Sequence, residues 1–313
     1  RRLRGQRATL ALATSMGVVL VAAFGYTARL ENRLEGDVIA AANVEVHVAP
    51  AAAVDGALHA PHVLVVGDST AAGIGRALGD WAVDTGRLRV TSVTSAGCAT
   101  YSGTRMRVRD GYEFSPKGCD ELFTTAASTA LQQHVDAIVV FIGSSQLADW
   151  TYQGRDGWLG VTDPQVRSGY EGALAQSLAQ LAEAGVPVLW ADLPTPDWDL
   201  EEFGERIGGP LPGRGDVTLN DPVRAAVVNE VDAETVPSHP MTVIWPWREH
   251  LAGPDGTIPP AVRPDGLHVD EARVGEFADA WLFDLLDASY DQVVARQPAG
   301  LRPPSDNTWA VDG

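Results

Sequence analysis

Two stretches of the chain carry residue types that could perform acyl chemistry. In the run Val65, Val66, Gly67, Asp68, Ser69, Thr70, a serine stands where a short β-branched strand turns into a helix. Such a turn exposes the hydroxyl, and the free N–H groups and positive dipole end of a helix N-terminus favour the anionic oxygen that develops when an ester is attacked. The same run also reads as a plain Ser or Asp helix cap. Serine is a weak nucleophile unless an adjacent base takes its proton, so one of the seven histidines should serve it. His268 is the candidate, in the turn-rich segment Arg263, Pro264, Asp265, Gly266, Leu267, His268. Asp265, three residues upstream, can fold back on the imidazole, fix its tautomer and stabilise the imidazolium formed during attack. A third stretch, Ser95, Ala96, Gly97, Cys98, follows another predicted strand and can offer a backbone N–H.

The elements that must position these residues alternate. Short apolar, β-branched runs predict strands over 62–66, 88–93, 136–142, 186–192 and 241–245. Helical patterns lie between and after them, from Gly67 through Trp81 and over 119–133, 165–184, 221–231 and 270–286. Strands alternating with helices imply an α/β protein with a mostly parallel sheet of about five strands covered on both faces, an α/β/α sandwich. Functional loops of such folds gather at the carboxyl ends of the strands. The segments 99–118, 146–164 and 193–218 lie there and read as long irregular loops.

Outside this core, Arg1, Arg2, Arg4 and Arg7 precede an uncharged, mostly apolar stretch from Ala8 to Ala28. About 20 apolar residues at 1.5 Å rise span a bilayer core of about 30 Å, so residues 1–28 predict a basic terminus and one transmembrane helix. The positive-inside bias then puts the bulk of the chain outside the cytoplasm. Residues 29–60 read as a stalk, 61–290 as the folded domain and 291–313 as a polar tail. A net charge of −18 argues against a nucleic-acid partner. The two cysteines, Cys98 and Cys119, suit an oxidising compartment and are expected to pair.

The joint order of these blocks resembles that of the SGNH hydrolases, also called GDSL-type esterases. Gly67, Asp68 and Ser69 match the first block of that family, Gly97 its glycine block, and Asp265 with His268 its closing Asp-x-x-His. The resemblance implies a flavodoxin-like SGNH fold, with Ser69 as nucleophile, His268 as general base and Asp265 as its orienter. It also implies an oxyanion hole made by the N–H groups of Ser69 and Gly97. One block departs: where the family has Gly-x-Asn-Asp, with the Asn amide as a further oxyanion donor, this chain has Gly143, Ser144, Ser145, Gln146. Gln146, or a serine hydroxyl, is the expected substitute. The anchor, the Gly-Cys pair with its downstream cysteine, and the loop Pro194 to Asp199 are similar to the SGNH domain fused behind membrane acyltransferase-3 proteins of bacterial envelopes. That likeness implies transfer or hydrolysis of acyl groups, acetyl above all, on envelope glycans. Its partners would be an acylated glycan or acyl donor, the membrane, and an upstream acyltransferase domain. No cofactor is implied.

Other readings are weaker. Gly73, Gly75 and Gly79 suggest a dinucleotide fingerprint, but Gly73 lies seven residues beyond Val66, inside the predicted helix. His59 with His62, or Asp265 with His268 and Asp270, close no metal site. A different class is an inactive domain that binds envelope carbohydrate on Trp150, Trp158 and Trp198, although large aromatics more often serve as core.

Overall fold

The computed structural model describes residues 44–48, 60–207, 209, 211, 213–253, 258–278, 291–293 and 295. The described residues belong to one compact unit, Ala42–Gly313. The predicted membrane helix and most of the tail lie outside them. Among the described residues no helix is long and apolar enough to cross a membrane.

The chain runs β1 (Glu45–Val48), β2 (His62–Gly67), α1 (Ser69–Thr85), β3 (Arg89–Thr94), β4 (Arg105–Arg109), β5 (Tyr112–Phe114), α2 (Leu122–Gln133), β6 (Ala137–Phe141), β7 (Asp149–Thr151), α3 (Pro164–Ala182), β8 (Val188–Ala191), α4 (Leu200–Ile207), α5 (Pro222–Thr235), β9 (Thr242–Trp245), α6 (Trp247–Leu251) and α7 (Glu271–Phe277). The main sheet has the order β1-β3-β2-β6-β8-β9. All its pairings are parallel except that of β1 with β3.

The apolar runs form central strands because both of their faces are covered. Val63, Val65, Val139, Leu189 and Val243 pack with Ile74, Leu78 and Trp81 of α1 and Val274 of α7. Their chain neighbours Leu64, Val66, Ile138, Val140 and Trp190 pack on the other face with α2, α3 and α5. Successive residues of a strand point to opposite faces, so two separate cores on one sheet give three layers. Aspartates start several helices: Asp68, Asp163, Asp221 and Asp270 each accept an N–H of the first turn. The register pairs Gly67 with Thr94 on one side and Phe141 on the other. The turns carrying Ser69, Gly97 and Gly143 therefore leave the sheet at one level.

Two expectations need correcting. Residues 45–48, inside the predicted stalk, form an antiparallel edge strand, so the sheet has six strands. All four are exposed, which is why no buried-face periodicity marked them. None of the three predicted loops is irregular throughout: 193–218 contains α4, while 99–118 and 146–164 hold strands. The latter two contribute a three-stranded antiparallel sheet, β5-β4-β7, in which Met106 and Val108 alternate inward between arginines. Cys98 and Cys119 are joined in a disulfide, as expected, and close the loop that carries β4 and β5.

Candidate active site

The end of β2 is fixed from both sides. Gly67 has φ of +150°, and a Cβ there would lie 1.8 Å from the Phe141 carbonyl oxygen, so the turn admits only glycine. The Asp68 N–H donates to that carbonyl (3.2 Å) and the Gly67 carbonyl accepts from Ser95 N–H (2.9 Å). Asp68 then caps α1 through the Thr70 N–H (2.9 Å), which leaves Ser69 as the first helical residue.

Ser69 Oγ lies 2.9 Å from Nε2 of His268, 199 positions later in the chain. The other ring nitrogen, Nδ1, lies 2.7 Å from Asp265 Oδ2. Oδ1 of the same carboxylate accepts the N–H groups of Leu267 (3.0 Å) and His268 (2.7 Å). An acceptor-only carboxylate at Nδ1 assigns the proton to that nitrogen and leaves Nε2 free to accept from the serine hydroxyl. Burial by itself would raise the Asp265 carboxyl, but the hydrogen bond and charge of His268 and the two N–H donors outweigh it. The carboxyl sits well below its ordinary range. Phe203 of α4 stacks on the imidazole at 6.2 Å between centroids, and Trp198 meets it edge-on at 6.5 Å.

Gly97, at φ +75°, turns behind Ser95 with Phe114 against its α-carbon. Among the described residues the N–H groups of Ser69 and Gly97 donate to no acceptor. Gln146 is placed otherwise than expected. Its side chain is wholly buried, its Oε1 accepts the Tyr101 N–H (3.0 Å), and its Nε2 is sealed from solvent without a partner among the described residues. A substrate oxygen cannot meet that nitrogen in this arrangement, so Gln146 fixes the backbone beyond Gly97 instead of pointing a donor at substrate. Ser144 is equally committed, since its hydroxyl donates to Asp68 Oδ2 at 2.7 Å. Burial raises the Asp68 carboxyl, opposed by the Ser144 and Thr70 donors.

Sequence reasoning did not find this Asp68–Ser144 pair, nor buried Arg263, nor the aromatic packing of His268. A small cavity of about 30 Å³ is bordered by Asp68, Thr70, Ser144, Asp192, Arg263 and Leu267, the chain neighbours of Ser69 and His268 among them.

The rival readings fare differently. Gly75 sits inside α1 where a Cβ would come 2.9 Å from the Ser92 Cβ, so it serves the close packing of helix on sheet. His62 is a buried core histidine bonded to Thr91 Oγ1 and the Gln133 carbonyl, and burial lowers it. Asp270 caps α7. No group of three metal-binding side chains occurs among the described residues; His59 lies outside them. Trp150 is core, its Nε1 donating to the Ser145 carbonyl, and Trp198 is buried against His268. Trp158 is overlaid by the guanidinium groups of Arg105 and Arg107, at 5.4 and 4.8 Å.

The profile of the family described as "SGNH domain (fused to AT3 domains)" matches residues 39–251, more than half of the chain. The chain belongs to the SGNH domain family. Membership makes it an SGNH-type serine ester hydrolase. The match ends before Asp265 and His268, so their place in the site rests on the geometry above. No curated protein matches the chain.

Similar solved structures include TesA, 16% identical with a TM-score of 0.41, covering 73% of this chain and 99% of that one. A GDSL-like lipase from Bacteroides thetaiotaomicron is 13% identical at 0.39, covering 75% and 88%. A catalytic mutant of the acetylxylan esterase Axe2 from Geobacillus stearothermophilus is 14% identical at 0.37, covering 72% and 94%. Likeness at these scores decides nothing about this SGNH domain's substrate or mechanism.

Proposed function

We propose that Ser69, His268 and Asp265 are the nucleophile, general base and orienting carboxylate of a membrane-anchored, extracytoplasmic enzyme. It moves acyl groups, acetyl above all, on cell-envelope glycans through an acyl-Ser69 ester. The observation that carries this reading is the line of two short hydrogen bonds from Ser69 Oγ through both nitrogens of His268 to buried Asp265. In the first half-reaction Ser69 Oγ bonds to the acyl carbon and its proton passes to Nε2, while Asp265 balances the imidazolium. The carbonyl oxygen becomes an oxyanion facing the Ser69 and Gly97 N–H groups. The C–O bond to the donor breaks, and the leaving alkoxide takes the proton from Nε2. In the second half a water or sugar hydroxyl gives its proton to Nε2, attacks the acyl-Ser69 carbonyl and releases Ser69, which recovers the proton. The fusion of family members to AT3 domains supports a membrane setting with an acyl-handling partner domain.

The binding-only alternative, motivated by the absent asparagine, loses its aromatic platforms, because two of its three tryptophans are buried and the third is overlaid by arginines. The purified chain is expected to hydrolyse a short-chain aryl acetate. Ser69→Ala should lower kcat at least about 10³-fold with an unchanged melting temperature. Acetylated sugar appearing with a glycan acceptor, read by mass, would assign transfer. Wild type and Ser69→Ala equally inert while both retain glycan would sink the proposal.

A further inference from the structure

The turn that carries Asp265 and His268 has no regular secondary structure, yet it must hold the imidazole within hydrogen-bond reach of a serine fixed elsewhere. Its support is the segment from Thr195 to Asp199. The Asp197 N–H donates to the Gly266 carbonyl and the Asp199 N–H to the Asp265 carbonyl, both at 3.0 Å. Gly266, at φ +73°, comes so close that a Cβ would lie 1.7 Å from the Asp197 carbonyl oxygen. Beneath this contact Arg263 is only 6% exposed. Its Nε donates to the Leu267 carbonyl (2.8 Å) and its Nη1 to the Thr195 carbonyl (3.3 Å), so one planar guanidinium ties the two segments.

We propose that Arg263 is a positioning residue that locks the Asp265–His268 turn onto the Thr195–Asp199 segment. The inference rests on the reading of His268 as base. Burial lowers the Arg263 guanidinium to about 10, so it keeps its charge in the working range. Asp265 on its own turn and Asp197 on the supporting segment are the carboxylates that balance this buried charge.

The test is kcat, KM and melting temperature in aryl acetate hydrolysis for wild type, Arg263→Gln and Arg263→Lys. Arg263→Gln should lower kcat roughly ten- to hundredfold with little change in KM, because the side chain lies beneath the turn and not on the substrate. Arg263→Lys keeps the charge and a donor but not the fork, so it should recover part of the kcat that Arg263→Gln loses. A kcat loss that comes with a rise in KM, or that only follows an equal fall in melting temperature in both variants, makes Arg263 a structural prop and overturns the positioning role, as does an unchanged kcat in Arg263→Gln. Should Arg263→Gln fail to fold, Arg263→Lys decides by the same readouts. A wild type without Ser69-dependent turnover would instead defeat the assignment of the Ser69–His268 pair on which the inference rests.

Discussion

Ser69 and His268 meet across 2.9 Å, but they are held by different means. Ser69 sits where a fully buried parallel strand enters a 17-residue helix, with strands paired on both sides of the last strand residue. His268 sits in a turn whose hold on the molecule is a few hydrogen bonds to another loop, one buried guanidinium and two aromatic rings. The nucleophile shares the stability of the sheet. The base depends on local contacts that can fail while the sheet stands.

A matched pair of glycine substitutions tests that difference. At Gly67 and Gly266 alike, a Cβ would press on a backbone carbonyl oxygen, at 1.8 and 1.7 Å. At Gly67 the carbonyl belongs to Phe141 at the end of β6, and neither strand can yield without unpairing the sheet. Gly67→Ala should therefore cost on the order of 4 kcal/mol or more, seen as loss of soluble protein or a collapse of the denaturant midpoint. At Gly266 the carbonyl belongs to a loop, and the turn can move away. Gly266→Ala should keep most of the stability and lose kcat roughly a hundredfold. Equal losses of stability in the two variants would abolish the distinction.

This division also explains what could be read from the sequence. The strand-to-helix junction was legible because β-branched runs ending in Gly67, Asp68, Ser69 are local signals. The pair Asp265 and His268 was legible from spacing, since an aspartate three residues before a histidine in a turn can reach its ring. Arg263 was not legible: its partners are carbonyls at 195 and 267, and no local pattern distinguishes a buried arginine from an exposed one. Gln146 was misjudged for the same reason, because its amide oxygen is claimed by a backbone N–H 45 positions away. β4 and β7 pair across a gap of about 40 residues, beyond any hairpin signal, so their loops read as irregular. β1 was hidden by having no buried face.

The glycine loop is intermediate between the two halves, and the disulfide decides which it resembles. Cys98 follows Gly97 directly, and its bridge to Cys119 closes a loop with a sequence separation of 21. A cross-link of that span stabilises by about 3 kcal/mol in the chain-entropy model. Reduction, or Cys98→Ser with Cys119→Ser, should lower the melting temperature by roughly 10 °C. Because the bridge holds the residue next to an oxyanion donor, kcat should fall as well. A lowered melting temperature with unchanged kcat would assign Gly97 to the sheet-held half and leave the bridge a purely structural role.

The smallest expected effect separates the two halves by pH. Asp232 of α5 is buried in the scaffold, where it accepts hydrogen bonds from Tyr170 of α3 and from Trp190 Nε1 of β8. Burial pushes its carboxyl up to about 7, the two donors opposing that rise. Between the unfolded carboxyl value near 4 and the folded value, the native state holds a proton that the unfolded state has lost. Stability from this group is therefore full below about pH 4 and is lost as pH rises toward 7, with a slope of at most about 1.4 kcal/mol per pH unit. Asp232→Asn mimics the protonated form and removes the slope. Subtracting its denaturant stability from that of the wild type at pH 5 and pH 7.5 should leave a difference of roughly 2 kcal/mol, the wild type being the one that weakens. Tyr170, Trp190 and Asp232 make no contact with the Asp265–His268 turn through these bonds, so the pH–rate profile of Asp232→Asn should superimpose on that of the wild type. A displaced acid limb in Asp232→Asn would mean that scaffold and turn titrate as one unit, and the separation drawn between the two halves of the site would not hold.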